Sequence, residues 1–360
     1  MFPYLGMMAV PGLFALTALR RSQVILLLVA LLYWVMVGLR FQVGMDWNNY
    51  IFIYAADTVH PFRHSVGFNR ELGYTALEWF AATSGGGIIL INAVAAAVFC
   101  WGFFLVAKSC YEPWLAITVA TPLLVVVFAM SGARQSIAFG IIAYLFVTWD
   151  KRTPRTRAGL VLLAALFHFS SIFMLAFVAL TSRAQPVVKF ATAAVLAIGV
   201  LAINRFNPDP MAHYSRLYVG NQMNAPGAII EVGLVSIAGV LYLINRRRWA
   251  EWIGYSPLIQ NLAWGSLGLL LVIPISSVGA YRFALYFWPM AMYVYSGYPG
   301  LITSPTGRAF YRVTVVFGSF GMMIGWLLFA NNSLAWLPYK NWLAQPADSA
   351  FVRKASVVRY

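Results

Sequence analysis

Apolar residues in this chain come in long runs bounded by charge, Pro or Gly. Backbone polar groups in lipid must pair within their own helix, and a crossing takes about 20 apolar residues, so runs of this kind predict membrane-spanning helices. They lie at 6–19, 22–39, 86–107, 113–130 and 133–149, and again at 158–180, 186–204, 227–245, 257–276, 281–298 and 310–330. The first is short for a full crossing. The pattern predicts an all-α, polytopic membrane protein of about eleven transmembrane helices, organised as one transmembrane domain over 1–360. No internal repeat, low-complexity segment or soluble domain is evident.

Two stretches break the pattern. Residues 40–85 form a long loop rich in aromatic and polar groups, beginning RFQVGMDWNNYIFIY. Within it, RELGYTALEWFAA (70–82) has helical periodicity and is expected to lie along the interface. Residues 205–226 form a second loop with Pro, Asn and Tyr but little helix signal. Loops of this length carry function more often than scaffold.

Composition confirms the class: 61% of residues are hydrophobic and 10% charged, too few charges for a soluble surface. The mean hydropathy is +0.76. The net charge of +15 could suggest nucleic acid, but the cations fall in short clusters between apolar runs: Arg20-Arg21, Lys151-Arg152 with Arg155 and Arg157, and Arg246-Arg247-Arg248. That is the positive-inside pattern, and no nucleic-acid partner is expected. Placing these clusters and Arg308/Arg312 in the cytoplasm puts the 40–85 loop outside. Three predicted spans separate the 151–157 cluster from the 246–248 triplet, which is the wrong parity. A re-entrant or broken segment between 158 and 245 would restore it, and such a segment points to an active site. Cys100 and Cys110 offer neither a disulfide framework nor metal-ligand spacing and read as packing residues. The first apolar run lacks the basic n-region and A-x-A-like site of a cleavable signal.

Chemistry must come from few groups, since the chain has only 10 acids. Asp57, Glu78, Asp150, Glu251 and Asp348 read as solvated loop or interface residues. Asp46 lies between Arg40 and Tyr50 beside the flexible Gly44, as a polar ligand cradle or as an Arg40–Asp46 ion pair fixing the loop. Arg134 opens a span after Ser131 and Gly132. It reads as a snorkelling anchor or, with a helix N-terminus and close backbone approach, as a phosphate-binding corner. His168 sits within an apolar run, where a titratable group is costly and marks function; Ser170 and Ser171 would hold a ring nitrogen or cap a helix break. Arg282 follows small, helix-breaking residues and, on this topology, shares a face with Asp46 and Arg134. Glu231 pairs with one of these arginines or neutralises a helix start. Arginine forks suit pyrophosphate, and aromatic faces with Asn or Asp suit sugar rings. No P-loop, GxSxG or metal-binding motif is present, so neither metal nor cofactor is expected. The mix points to a lipid-linked sugar diphosphate.

At these residues the sequence resembles the EpsG family of polysaccharide polymerases, relatives in function of the Wzy O-antigen polymerases. The resemblance rests on Arg40, Gly44-Met45-Asp46, Tyr50, Glu71-Leu72-Gly73-Tyr74, Arg134-Gln135, His168 with Ser170 and Ser171, and Arg282-Phe283, in that order. It implies a GT-C-like bundle with outer-face loops in the bacterial inner membrane. It implies a metal-independent glycosyltransferase that joins undecaprenyl-pyrophosphate-linked oligosaccharide repeat units, donor to acceptor, on the periplasmic side. Arg134 and Arg282, helped by Arg40, would neutralise the departing pyrophosphate, and His168 or alternatively Asp46 would take the proton from the attacking hydroxyl. Tyr50, Glu71, Gln135, Tyr214, Tyr218 and Glu231 complete the expected substrate contacts. Partners implied are membrane lipids, a flippase and a chain-length regulator. The alternatives are a lipid-linked oligosaccharide flippase or other transporter, and a ligase-like transferase on the same donor.

Overall fold

The computed structural model describes residues 1–17, 22–58, 71–182, 225 and 227–345. The predicted span 186–204, the loop 205–226 with Tyr214 and Tyr218 (residue 225 apart), and the Arg20-Arg21 pair lie outside the described residues. The described chain is helical, with no strand among the described residues and one isolated bridge, Arg40 to Asn341.

The helices are α1 (Phe2–Leu16), α2 (Gln23–Gly38), α3 (Trp47–Thr58), α4 (Leu72–Thr83), α5 (Gly87–Ser109), α6 (Pro113–Ala120), α7 (Ala133–Thr148) and α8 (Pro154–Ala165). They continue as α9 (Leu175–Thr181), α10 (Ala228–Ile244), α11 (Arg246–Ile253), α12 (Pro257–Val272), α13 (Ser277–Ala284), α14 (Trp288–Gly297) and α15 (Pro305–Phe329). Local chemistry sets many of the starts. Ser22, Ser256, Ser276 and Ser304 each cap a helix, accepting the N–H of Ile25, Ile259, Gly279 and Gly307, and Pro257 and Pro305 occupy first-turn positions that need no donor.

Two helices, α5 and α15, are individually long and apolar enough to cross a membrane; α10 with α11 makes a third candidate if that bent pair is one span. α15 buries only Val316, Ser319, Met323 and Leu327, one narrow stripe, while Phe310, Phe317, Leu328 and Phe329 stay exposed. On α2, Leu27, Leu28 and Leu31 are likewise exposed. Helices apolar on their outward faces belong in lipid, and this is a membrane protein. The expected eleven crossings are not matched by eleven such helices among the described residues, several apolar helices being shorter than 18 residues.

The departures from the predicted spans have physical causes. Pro122 has no N–H and opens a π-helical stretch, Thr121–Ala129, so the 113–130 run is α6 followed by a wider coil. The 281–298 run tightens to a 3₁₀ turn at Leu285–Phe287, just before Pro289. The 158–180 run is not one regular helix: α8 ends at Ala165, and a 3₁₀ segment, Phe169–Met174, leads into α9. Arg246 to Arg248 do not form a loop. They begin α11, bent by 76° from α10, with Trp249 buried and the three arginines exposed, as an interfacial helix requires. The 40–85 loop contains α3 as well as the expected helix, which runs as Leu72–Thr83. Trp47, Tyr50 and Tyr54 fall on one buried face of α3, a period obscured in the sequence by Asn48 and Asn49.

The chain divides into two compact units: unit 1 comprises Met1–Val147, Leu163–Phe169 and Ser296–Tyr360, and unit 2 Thr148–Leu162 and Ser170–Tyr295. In unit 1, α2 packs along α5, and α15 closes against α1 and α6. Gly102 of α5 and Gly140 of α7 let two backbones touch: a Cβ on either would lie 2.3 Å from Gly140 O or 2.2 Å from Val98 O. Tyr33 Oη reaches Thr121 Oγ1 at 2.7 Å and Met7 O at 3.1 Å, tying α1 and α2 to the π-helical stretch. In unit 2, α10 and α12 meet through Gly239, whose Cβ would strike Ser266 Oγ at 2.3 Å, and through Ser236, which donates to Ser266 O at 2.7 Å.

Candidate functional site

The residues after α2 cannot continue the helix. Gly44 has φ of +104°, and a Cβ there would stand 2.2 Å from Met130 O. Only glycine meets both demands. The loop is pinned by the far end of the sequence: Phe41 N–H donates to Lys340 O at 3.0 Å, Gly44 N–H to Ala335 O at 2.9 Å, and Trp342 N–H to Leu39 O at 2.7 Å. Trp336, in the same C-terminal segment, donates from Nε1 to Val126 O at 2.8 Å in the π-helical stretch.

This frame buries Arg40, which is 2% exposed. Its guanidinium donates to Asn92 Oδ1 at 3.1 Å and Val37 O at 2.5 Å. Burial pushes Arg40 down to about 10, opposed by Tyr50, Tyr74, Tyr339 and Asp46, so it is still cationic at neutral pH. Of the two readings of Asp46, a ligand cradle or an ion pair with Arg40, the hydrogen bond it makes is neither: Ser131 Oγ donates to its Oδ2 at 3.2 Å. Asp46 therefore sits against the segment that opens α7.

Glu71 is the N-cap residue of α4, yet its side chain does not cap that helix. Its Oε2 accepts from Arg134 Nη1 at 3.2 Å, and its Oε1 accepts from Phe169 N–H at 3.1 Å and faces His168 Nδ1 at 2.5 Å. Burial alone would raise this carboxyl. The His168 ring and its hydrogen bond, then Arg134 and the Phe169 amide, outweigh burial and hold Glu71 below the ordinary carboxylate range. The serines after His168 do not hold Nδ1; Ser170 Oγ lies 2.9 Å from Tyr286 Oη within unit 2.

Gly73 completes the joint. Its N–H donates to Leu166 O at 2.8 Å, and a Cβ there would meet the same oxygen at 3.0 Å and the Phe167 ring at 3.1 Å. Both ends of the break after α8, a terminal carbonyl and a restarting N–H, are thus satisfied by Glu71-Leu72-Gly73. The Arg134 guanidinium lies over the Tyr50 ring at 5.6 Å and the Tyr74 ring at 5.7 Å. A third of its side chain remains exposed.

Arg40, Asp46, Tyr50, Glu71, Arg134, Gln135 and His168 therefore all belong to unit 1, and Glu71, Arg134, His168 and Tyr50 are linked by direct contacts. Arg282, in the last turn of α13, and Glu231 belong to unit 2. Glu231, expected to pair with an arginine or neutralise a helix start, sits in the first turn of α10, and its Oε1 accepts from Trp288 Nε1 at 3.0 Å. Glu78, expected to be solvated, is 2% exposed on the inner face of α4. Asn92 escaped notice in the sequence, although an amide inside an apolar run is a signal in its own right. Glu112 did too. It holds Arg312 through contacts of 2.6–3.0 Å, so Arg312 is more than a topology-marking loop charge.

A model of the EpsG family matches residues 23–341. The chain belongs to the EpsG family. The match takes in every segment of the cluster, from Arg40 to His168, and most of the tail that pins it. EpsG membership supports a polysaccharide polymerase in general terms, a glycosyltransferase-type activity in a membrane protein. No curated protein and no solved structure matches the chain.

Proposed function

We propose that this EpsG protein polymerises undecaprenyl-pyrophosphate-linked oligosaccharide repeat units at the periplasmic face of the bacterial inner membrane, as a multi-pass enzyme needing no metal. The observation that carries the reading is the gathering of Arg134 and His168 around Glu71, with Arg40 buried in the same unit. Among the described residues, buried Arg40 Nε, Trp47 Nε1 and Gln135 Nε2 also lack a partner within the protein. All three are donors on segments of unit 1, and such N–H groups need an acceptor from water or ligand. Phosphate and sugar oxygens supply acceptors in number.

In this reading the acceptor hydroxyl attacks the anomeric carbon of the donor, and the bond to the lipid pyrophosphate breaks with its electron pair leaving on that oxygen. The exposed N–H groups of Arg134 stabilise the leaving charge, with Arg40 adding to the field behind it. His168 takes the hydroxyl proton. Asp46, engaged by Ser131, is the alternative base. A repeat-unit flippase and a chain-length regulator are the expected partners.

The test uses purified protein in detergent with the lipid-linked repeat unit. No compartments exist there, so a transporter gives no product and a polymerase gives a ladder of lengthened glycan. Arg134→Ala and His168→Ala are each expected to lower chain growth by about 10²-fold or more. Wild-type-like ladders from His168→Ala and Asp46→Ala alike would remove both from the role of base.

A further inference from the structure

The expectation made Glu71 a substrate contact, but its carboxylate is wholly turned to other parts of the protein. We propose that Glu71 is a positioning residue: it fixes His168 as the Nδ1–H tautomer, so that Nε2 is the nitrogen that receives the proton from the acceptor hydroxyl. This deepens the polymerase reading and rests on it.

Three observations converge. First, an N-cap side chain ordinarily serves its own helix, and that of Glu71 does not. Second, Oε1 faces His168 Nδ1 at 2.5 Å and also accepts the Phe169 amide at 3.1 Å, so ring and adjoining backbone are held by one atom. A carboxylate is acceptor-only, so the nitrogen facing it must carry the proton, and in the neutral ring Nε2 then carries the lone pair. Third, Oε2 is held by Arg134, while Gly73 N–H and Leu166 O lock the α4 start to the break carrying His168. The carboxylate has little freedom to swing away. Charged groups around the ring are Glu71 of α4 and Arg134 of α7, with the phenols of Tyr50 on α3 and Tyr74 on α4 beyond the guanidinium.

The atoms balance without a further reagent. The hydroxyl oxygen forms a bond to the anomeric carbon, its proton passes to Nε2, and the pyrophosphate leaves with the electron pair of the broken bond. The resulting imidazolium lies against the Glu71 carboxylate, which stabilises it and does not itself take the proton.

Glu71→Gln keeps the shape but removes the charge: an amide oxygen in the place of Oε1 still accepts the Phe169 N–H yet leaves the imidazolium without its counter-charge, and an amide nitrogen there would place the proton on Nε2. Chain growth in detergent is expected to fall by about 10²–10³-fold, with donor KM within about threefold of wild type. The acidic limb of its residual rate–pH profile is expected to move to lower pH, because the ring loses its counter-charge and keeps Arg134 nearby. Glu71→Asp restores the charge and is expected to recover at least tenfold over Glu71→Gln. An unchanged acidic limb, or a loss confined to donor KM, overturns the proposal and returns Glu71 to substrate binding or scaffold. Should Glu71→Gln not accumulate in membranes, Glu71→Asp decides alone: its shorter carboxylate keeps the charge but lengthens the contact, so chain growth is expected to fall with donor KM unchanged and the acidic limb within about one pH unit of wild type, and a wild-type rate or a loss confined to donor KM overturns the proposal. Failure of the polymerase reading looks different: the wild-type protein itself then makes no ladder.

Discussion

Arg40 shows how a single residue sets demands on distant sequence. A guanidinium 2% exposed needs acceptors, and it has Val37 O one turn back and Asn92 Oδ1 on α5. Asn92→Ala removes the side-chain acceptor and leaves the charge buried, a loss expected at about 1.5–3 kcal/mol in thermal or denaturant unfolding in detergent. Asn92→Asp should retain most of the stability, since it restores an acceptor. Glu71 makes an acid-side prediction. Its carboxyl is depressed in the folded protein, so its stabilisation is complete above the ordinary carboxylate pKa and disappears as pH falls through the depressed value. The difference in melting temperature between wild type and Glu71→Gln is therefore expected to be largest near neutral pH and to close on acidification. A gap that widens toward low pH would contradict this assignment. The residue types at these positions were legible beforehand: an acid, a histidine and arginines in an apolar chain stand out. Their pairing was not: spacing offered Arg40 to Asp46 and an arginine to Glu231, and gave no sign that Glu71 meets Arg134 and His168.

Helix lengths and starts follow from short-range rules, whereas helix breaks depend on what satisfies them. The Pro122 π-helical stretch exposes backbone acceptors, and Trp336, more than 200 residues on, fills one at Val126 O. The α8 break is tolerated because Glu71-Leu72-Gly73 meets both of its loose ends. A break between 158 and 245 could be argued from charge parity, and Ser170 and Ser171 offered a local cap for one, but nothing in the sequence marked Ala165 as the end of α8. Between α5 and α7 the close approach is made by Gly102 and Gly140. Gly102→Val forces backbone apart where Gly140 O would stand 2.3 Å from the new carbon. Its expected effect is a loss of at least 1–3 kcal/mol, roughly the scale of core overpacking, read as a lower melting temperature and reduced folded yield in detergent. Gly318→Val on α15, with open space around it, is the matched control and should change little.

For the molecule in its membrane, orientation is the testable property. α5, α6 with its π-helical continuation, and α7 lie between Ser84 and Thr153, an odd number of apolar segments, so the two positions are expected on opposite faces. Both are exposed, while the native Cys100 and Cys110 are buried and should stay silent to an impermeant thiol reagent. Ser84→Cys is expected to label in intact cells with a permeable outer membrane, and Thr153→Cys only after the inner membrane is opened. The reverse pattern would put the candidate site in the cytoplasm, away from any periplasmic chain growth.

Composition and the length of the apolar runs were enough to establish a helical membrane protein, since lipid admits few other ways of pairing a backbone. They also singled out Arg40, Asp46, Arg134 and His168, though not Asn92 or Glu112, because a polar group carries a solvation cost in an apolar run. Which of those residues meet was decided by tertiary structure alone. Glu71, Arg134 and His168 come from three separated segments, and their contact depends on Gly73 fitting against Leu166 and on a C-terminal tail folding back onto the loop at Arg40. Such contacts are long-range in the chain and have no period to read.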